Sequence, residues 1–258
     1  MINHKIKKIL NKKNKSKIVS LTAYSKNIAN ILDKHCDIIL VGDSMANVLY
    51  GLKNTHEITL KNIIQHTISV KKGIKNSLLV VDMPKGSYKN KKLAKKNAKK
   101  IMKLTGCDAV KIESNKKNYN IVDELVSSNI PVMGHIGYTP QFKNIFKIEG
   151  NTRKKAKALI NDALNIERSG AFSIVLECIS SQTSKIITKN LKIPTIGIGS
   201  SAFCDGQILV TDDMLGLSGF YPKFVKKYTN LKKIINKTVE KFSKEVRNER
   251  FPTKKNSF

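Results

Sequence analysis

The chain has 258 residues, 40% hydrophobic and 26% charged, with 48 Lys and Arg against 19 Asp and Glu and a formal charge of +29. That length suits one large α/β domain, and single α/β barrels run to about 250 residues. No apolar run is long enough for a membrane span or a signal peptide, no zinc-finger spacing occurs, and with no Trp and 6% aromatics a base-stacking surface is poorly supplied.

The charge by itself points to polyanions. Its distribution points elsewhere. Between Lys89 and Lys103 the lysines alternate with Ala94, Ala98, Ile101 and Met102 at helical spacing, which is a basic, solvated helix face. Cys36, Cys107, Cys178 and Cys204 are far apart with no C-x-x-C, and read as free thiols in a reducing compartment, the cytoplasm.

Residues 1–16 read as a helix and linker, with Ile6, Ile9 and Leu10 suited to a short capping helix. Residues 17–258 read as one barrel domain with a C-terminal helix. A first strand runs over Lys17–Leu21 and a helix follows on Ile28, Ala29, Ile31 and Leu32. The second strand is Ile38–Val41, and residues 43–58 read as a loop. Thr59 is placed as the N-cap of a helix, because Leu60, Ile63, Ile64, Thr67 and Ile68 repeat at helical spacing. Leu78–Asp82 is a wholly apolar run ending on a carboxylate, as expected of a strand buried on both faces. The lysine-rich helix follows, then strand Ala109–Glu113, a helix over 117–128, and strand Pro131–His135. A loop to Gly150 leads into a helix over Thr152–Ser169. Strand Ser173–Glu177, a short helix at Ile186 and Ile187, strand Thr195–Ile198 and a weak strand Ile208–Val210 complete the alternation. From Leu231 the chain reads as a basic amphipathic helix.

Eight strands alternating with helices imply parallel pairing. The count and the acids at strand ends favour a single (β/α)8 TIM barrel over an open sheet, and no G-x-G-x-x-G follows the first strand. In a barrel the C-terminal strand ends face one pocket. Asp43, Asp82 and Glu113 then come from three neighbouring strands, and three converging carboxylates call for a cation, with Mg²⁺ suited to hard oxygen ligands. Taken singly, each is equally a helix cap or a turn former. Lys111 shares a strand face with Glu113 and needs a counter-charge, from acids or an anionic substrate. Ser44 offers a hydroxyl to the same anion. His135 ends its strand either as a core residue or at the reactive rim. Glu177, flanked by apolar residues, is a candidate general base with a raised pKa; the alternative is an ion pair with Lys111.

Several segments together resemble the ketopantoate hydroxymethyltransferase family. They are Leu21-Thr22-Ala23-Tyr24, Val41-Gly42-Asp43-Ser44, Asp82-Met83-Pro84, Val110-Lys111-Ile112-Glu113, Gly134-His135-Ile136-Gly137 with Thr139-Pro140-Gln141, Leu176-Glu177-Cys178, and Cys204-Asp205-Gly206-Gln207. The resemblance implies a barrel of the phosphoenolpyruvate/pyruvate type. It implies Mg²⁺ on Asp43, Asp82 and Glu113, keto-acid binding by Asp43, Ser44, Asp82 and Lys111, and Glu177 as proton acceptor. It further implies 5,10-methylenetetrahydrofolate as one-carbon donor to 3-methyl-2-oxobutanoate, a Mg-stabilised enolate, and a homodecamer. The rival readings are another Mg-dependent, enolate-forming carbon–carbon lyase on the same barrel, whose usual Lys-x-x-Cys-Gly-His-type loop is missing here, and a basic nucleic-acid-binding protein.

Overall fold

The computed structural model describes residues 3–114, 118–143, 145–219 and 221–258. Its strands are β1 (Ile18–Thr22), β2 (Ile38–Val41), β3 (Leu78–Asp82), β4 (Ala109–Glu113), β5 (Val132–Gly137), β6 (Ser173–Glu177), β7 (Thr195–Ile198) and β8 (Gly206–Leu209). They pair in parallel in sequence order, and β8 closes on β1. The helices are α1 (His4–Asn11), α2 (Lys26–Leu32), α3 (Met45–Val48), α4 (Leu60–Lys71), α5 (Lys91–Thr105), α6 (Tyr119–Ser127), α7 (Arg153–Arg168), α8 (Ser181–Asn190), α9 (Thr211–Met214) and α10 (Leu231–Arg247).

Alternation along each strand sorts the core into two clusters. Ile39, Val41, Leu79, Val81, Val110 and Ile112 turn outward and pack with the helices, alongside Ile63, Ala98, Leu125 and Ile166. Ile38, Leu40, Leu78, Val80, Ala109 and Met133 belong to a second cluster that fills the barrel's lower interior, together with Ile6 and Ile9 of α1. The turn just after α1 is tied by charge: Lys12 meets Asp37 at 2.8 Å and Lys13 meets Asp205 at 2.8 Å.

Local chemistry accounts for the helix ends. Thr59 caps α4, accepting from the Asn62 amide while the Asn62 side chain accepts from the Thr59 amide. Gly106 closes α5 with φ of +63°, a conformation that suits glycine. Several boundaries differ from those read off the sequence. β1 starts at Ile18. The 43–58 segment, read as a loop, holds α3 and a 3-10 turn over Thr55–Glu57. β5 continues to Gly137 because its pairing with β6 runs on to Gly137–Glu177, overriding the poor strand propensity of its glycines. β8 begins at Gly206, and α8 is ten residues long. The helix expected over 117–128 begins at Tyr119; residue 117 lies outside the described residues.

Contacts divide the chain into two units, Met1–Val210 and Thr211–Phe258. The second holds α9 and α10, linked by hydrogen bonds from Tyr228 N to Met214 O and from Leu231 N to Leu215 O. Helix α10 is amphipathic and buries none of its residues. Among the described residues no helix is long and apolar enough to cross a membrane.

Candidate active site

The C-terminal strand ends bring together buried charge. Asp43, Asp82, Lys111, Glu113 and His135 are each no more than 6% exposed. Lys111 Nζ donates to Asp82 Oδ1 at 2.7 Å, and Asp82 Oδ2 accepts from the Asp43 amide at 3.0 Å. Gly42 permits that approach, since a Cβ there would stand 2.9 Å from Ser44 Oγ and 3.4 Å from Asp82 Oδ2. Ser44 is half-buried and its hydroxyl lies 2.9 Å from that of Tyr24. Glu113 Oε2 accepts from the Gln141 amide at 3.0 Å.

A second pair sits on β5 and β6. His135 Nε2 lies 3.0 Å from Glu177 Oε2, and His135 Nδ1 lies 3.9 Å from Glu113 Oε1. Neither contact is a hydrogen bond, the second being too long for one, and neither ring nitrogen has a hydrogen-bond partner among the described residues. Glu177 thus faces His135 at 3.0 Å, and among the described residues it forms no ion pair with Lys111, the alternative weighed for it. The backbone around Glu177 is constrained. Tyr138 N donates to Glu177 O at 2.8 Å, and Gly137, at φ of +99°, leaves room for that carbonyl, which a Cβ would approach to 2.1 Å. Cys178 holds φ of +51°, a left-handed conformation uncommon for a residue with a Cβ.

Burial governs the proton affinities. It lifts the Asp43 carboxyl to about 7, helped by the neighbouring Asp82 charge. It raises Glu113 well above the usual carboxylate range, with Asp43 adding to the effect. Burial also lifts Glu177, to about 8, against the pull of Lys111. Burial acts to lower the Lys111 ammonium, but Asp82, Asp43 and Glu113 outweigh it and hold it protonated. Burial and the Lys111 charge push His135 well below its ordinary value, so its ring is neutral. All four cysteines are buried, free thiols.

Four carboxylates thus share one ammonium. Among the described residues no three of them form a ready-made metal chelate. The donor set nevertheless fits a hard divalent cation: the groups are carboxylate oxygens, they are short of positive charge, and Mg²⁺ commonly takes one or two carboxylates and keeps its remaining ligands as water. Gln141 is the residue that sequence reasoning passed over. It is 1% exposed and touches both Asp43 and Glu113. Its only sequence signal was a place in the Thr-Pro-Gln turn after the glycine-rich end of β5. Beside the site opens a cavity of about 650 Å³, lined by Tyr88, Ser114, Ile136, Gly137, Thr139 and Phe142 among others.

A parallel eight-stranded barrel with buried acids and one lysine at its C-terminal mouth has the form of a TIM-barrel enzyme, the class that builds its active sites at that face. The likenesses to known proteins are more specific. A family model described as ketopantoate hydroxymethyltransferase matches residues 3–254. A 3-methyl-2-oxobutanoate hydroxymethyltransferase of Pelagibacter ubique is 51% identical over 257 residues, covering 100% of both chains. One of Thermotoga sp. strain RQ2 is 45% identical, covering 98% of this chain and 96% of its own. Among solved structures, phosphoenolpyruvate phosphomutase from Streptomyces platensis subsp. rosaceus superposes with a TM-score of 0.64 at 11% identity, covering 95% of this chain and 88% of its own. A phosphonopyruvate hydrolase in complex with oxalate and Mg++ gives 0.60 at 11% identity, covering 98% and 93%. The chain belongs to the ketopantoate hydroxymethyltransferase family.

Proposed function

We propose that this chain catalyses the first step of pantothenate biosynthesis, transferring a hydroxymethyl group from 5,10-methylenetetrahydrofolate to 3-methyl-2-oxobutanoate to give ketopantoate. The observation that carries this reading is the pairing, at one barrel mouth, of a Lys111–Asp82–Asp43 cluster with a separate, half-buried base, Glu177. The whole-chain family match favours it over a carbon–carbon lyase.

Lys111 and the Ser44 hydroxyl receive the carboxylate of the keto acid. Glu177 takes the proton from C3; its carboxyl, lifted to about 8, suits a weak carbon acid. His135 lies beside Glu177 at 3.0 Å without adding charge, and the Tyr138 amide fixes the Glu177 backbone. The C3 electron pair forms the new bond to the methylene carbon. Both carbon–nitrogen bonds of that methylene break, water supplies the hydroxyl, and the protons from C3 and water end on tetrahydrofolate. Asp43, Asp82 and Glu113 would hold Mg²⁺, which when bound supplies positive charge for the oxygens that gain electron density as C3 is deprotonated. The Mg++ and oxalate named with the phosphonopyruvate hydrolase, a barrel of the same fold, support a metal and a small carboxylate as ligands of this chain.

The cavity beside the site, with Tyr88 and Phe142 in its wall, supports a place for an aromatic co-substrate. The exposed stripe of Ile235, Val239, Phe242 and Val246 on α10 supports self-association, a homodecamer in the reading given by the resemblance. Buried free thiols support a cytoplasmic location. The test is direct. Protein, both substrates and Mg²⁺ are mixed and ketopantoate is measured, with EDTA as the control. Product that disappears with EDTA and returns with excess Mg²⁺ is expected; no product in the complete mixture rejects the assignment.

A further inference from the structure

The loop after β5 carries a buried side chain that joins three strand ends. Gln141 Nε2 donates to Asp43 Oδ2 at 2.8 Å and to Met83 O at 3.1 Å, beyond β2 and β3 respectively. Its backbone amide donates to Glu113 Oε2 at 3.0 Å, at the end of β4. Its Oε1 accepts from Tyr88 OH at 2.6 Å, and Tyr88 is 4% exposed. The side-chain amide therefore uses both its donors and its acceptor. A flip of its O and N would face Oε1 against two acceptors, Asp43 Oδ2 and Met83 O, so the orientation is locked.

The loop is pinned on either side. Pro140 O meets His56 Nε2 at 3.0 Å, and Lys143 Nζ bonds Gly137 O and Glu149 Oε1 at 2.7 Å each. In each of the two acids one oxygen is thus engaged by Gln141, at Asp43 Oδ2 and Glu113 Oε2, and the other oxygen is not.

We infer that Gln141 is a positioning residue: with Tyr88 behind it, it fixes which oxygen of Asp43 and of Glu113 is presented to a divalent cation. The hydroxyl sets the amide, the amide sets the carboxylates, and the carboxylates arrive at the cation already oriented. Such outer partners typically change metal affinity about 10–100-fold when removed. The inference rests on the metal reading above, and the experiment separates the two.

Binding of Mn²⁺ to the full chain is titrated by electron paramagnetic resonance, without substrates, for wild type, Gln141→Met and Tyr88→Phe, with thermal melts of the metal-free proteins alongside. Gln141→Met is expected to weaken Mn²⁺ about 10–100-fold, and Tyr88→Phe to weaken it by a smaller factor. A loop tether with no bearing on the cation would lower the melting temperature and leave the affinity alone. Wild-type affinity in folded Gln141→Met overturns the inference while leaving the metal reading intact. Should that variant not fold, Tyr88→Phe decides on the same criterion. A wild type that binds no Mn²⁺ overturns the metal reading and this inference together.

Discussion

The acids at the two ends of this barrel are served differently. At the lower end, Asp37, Asp108 and Asp205 each sit one residue before a strand and accept from an amide of the preceding strand: Val19 N at 3.0 Å, Leu79 N at 2.9 Å and Thr195 N at 2.9 Å. Lys12 and Lys13, just after α1, add cations to Asp37 and Asp205, and Lys5 of α1 lies 3.8 Å from Asp108. Asp33 accepts from the amides of Lys75, Asn76 and Ser77. Although burial opposes it, those amides hold its carboxyl below the ordinary value. At the mouth, burial raises Asp43, Glu113 and Glu177 instead. The lower acids are satisfied by the fold. The upper ones are left short of charge by the fold, which is where a cation and an anionic substrate have something to add.

That contrast is most severely strained at Lys111, the ammonium within the buried acid cluster. Lys111→Met leaves those acids uncompensated and is expected to cost about 3–5 kcal/mol of stability, read from denaturant unfolding. A loss below about 1 kcal/mol would mean that the mouth acids are neutral without it. Next in size, Ile38→Ala in the lower interior, where Ile38 is fully buried, is expected to cost about 2–5 kcal/mol, while kcat of the folded enzyme is unchanged. A fall in kcat at full folding would show the two ends to be coupled. A smaller effect is expected at Asp33. Asp33→Asn turns one acceptor into a donor facing amides, and is expected to cost about 1–3 kcal/mol near neutral pH. The sign follows from the lowered pKa: the carboxylate's contribution is complete above the unfolded value of about 3.9 and is lost as pH falls through the folded value. Melting curves of wild type and variant should therefore converge in acid; a gap that widens there would contradict the assignment.

Much of the barrel was legible because buried parallel strands leave apolar runs of fixed length. β2, β3, β4, β6 and β7 have the limits read from the sequence. β5 and β8 were harder, since Gly134, Gly137 and Gly206 blur strand propensity and only pairing fixes their ends. The positions of Asp43, Asp82, Lys111 and Glu113 at the mouth were readable from the strand ends that carry them. That Glu177 meets His135 was not, because the two are joined by the β5–β6 register rather than by spacing. The contacts of Gln141, a residue of the Thr139-Pro140-Gln141 segment, were hidden for a related reason: a loop amide 98 residues from Asp43 announces its contact in no periodicity. The acids below the strands left a pattern, Asp directly before Ile38, Ala109 and Gly206, that is plain once the barrel is seen.

The separation of an acid cluster from a lone base on β6 is tested most directly by following exchange of the C3 hydrogen of 3-methyl-2-oxobutanoate into deuterated water, with Mg²⁺ and no folate. Wild type should exchange, and Glu177→Gln should exchange about 10²–10⁴-fold more slowly with its melting temperature preserved. Exchange at the wild-type rate in that variant would contradict Glu177 as the base and with it this account of the mouth.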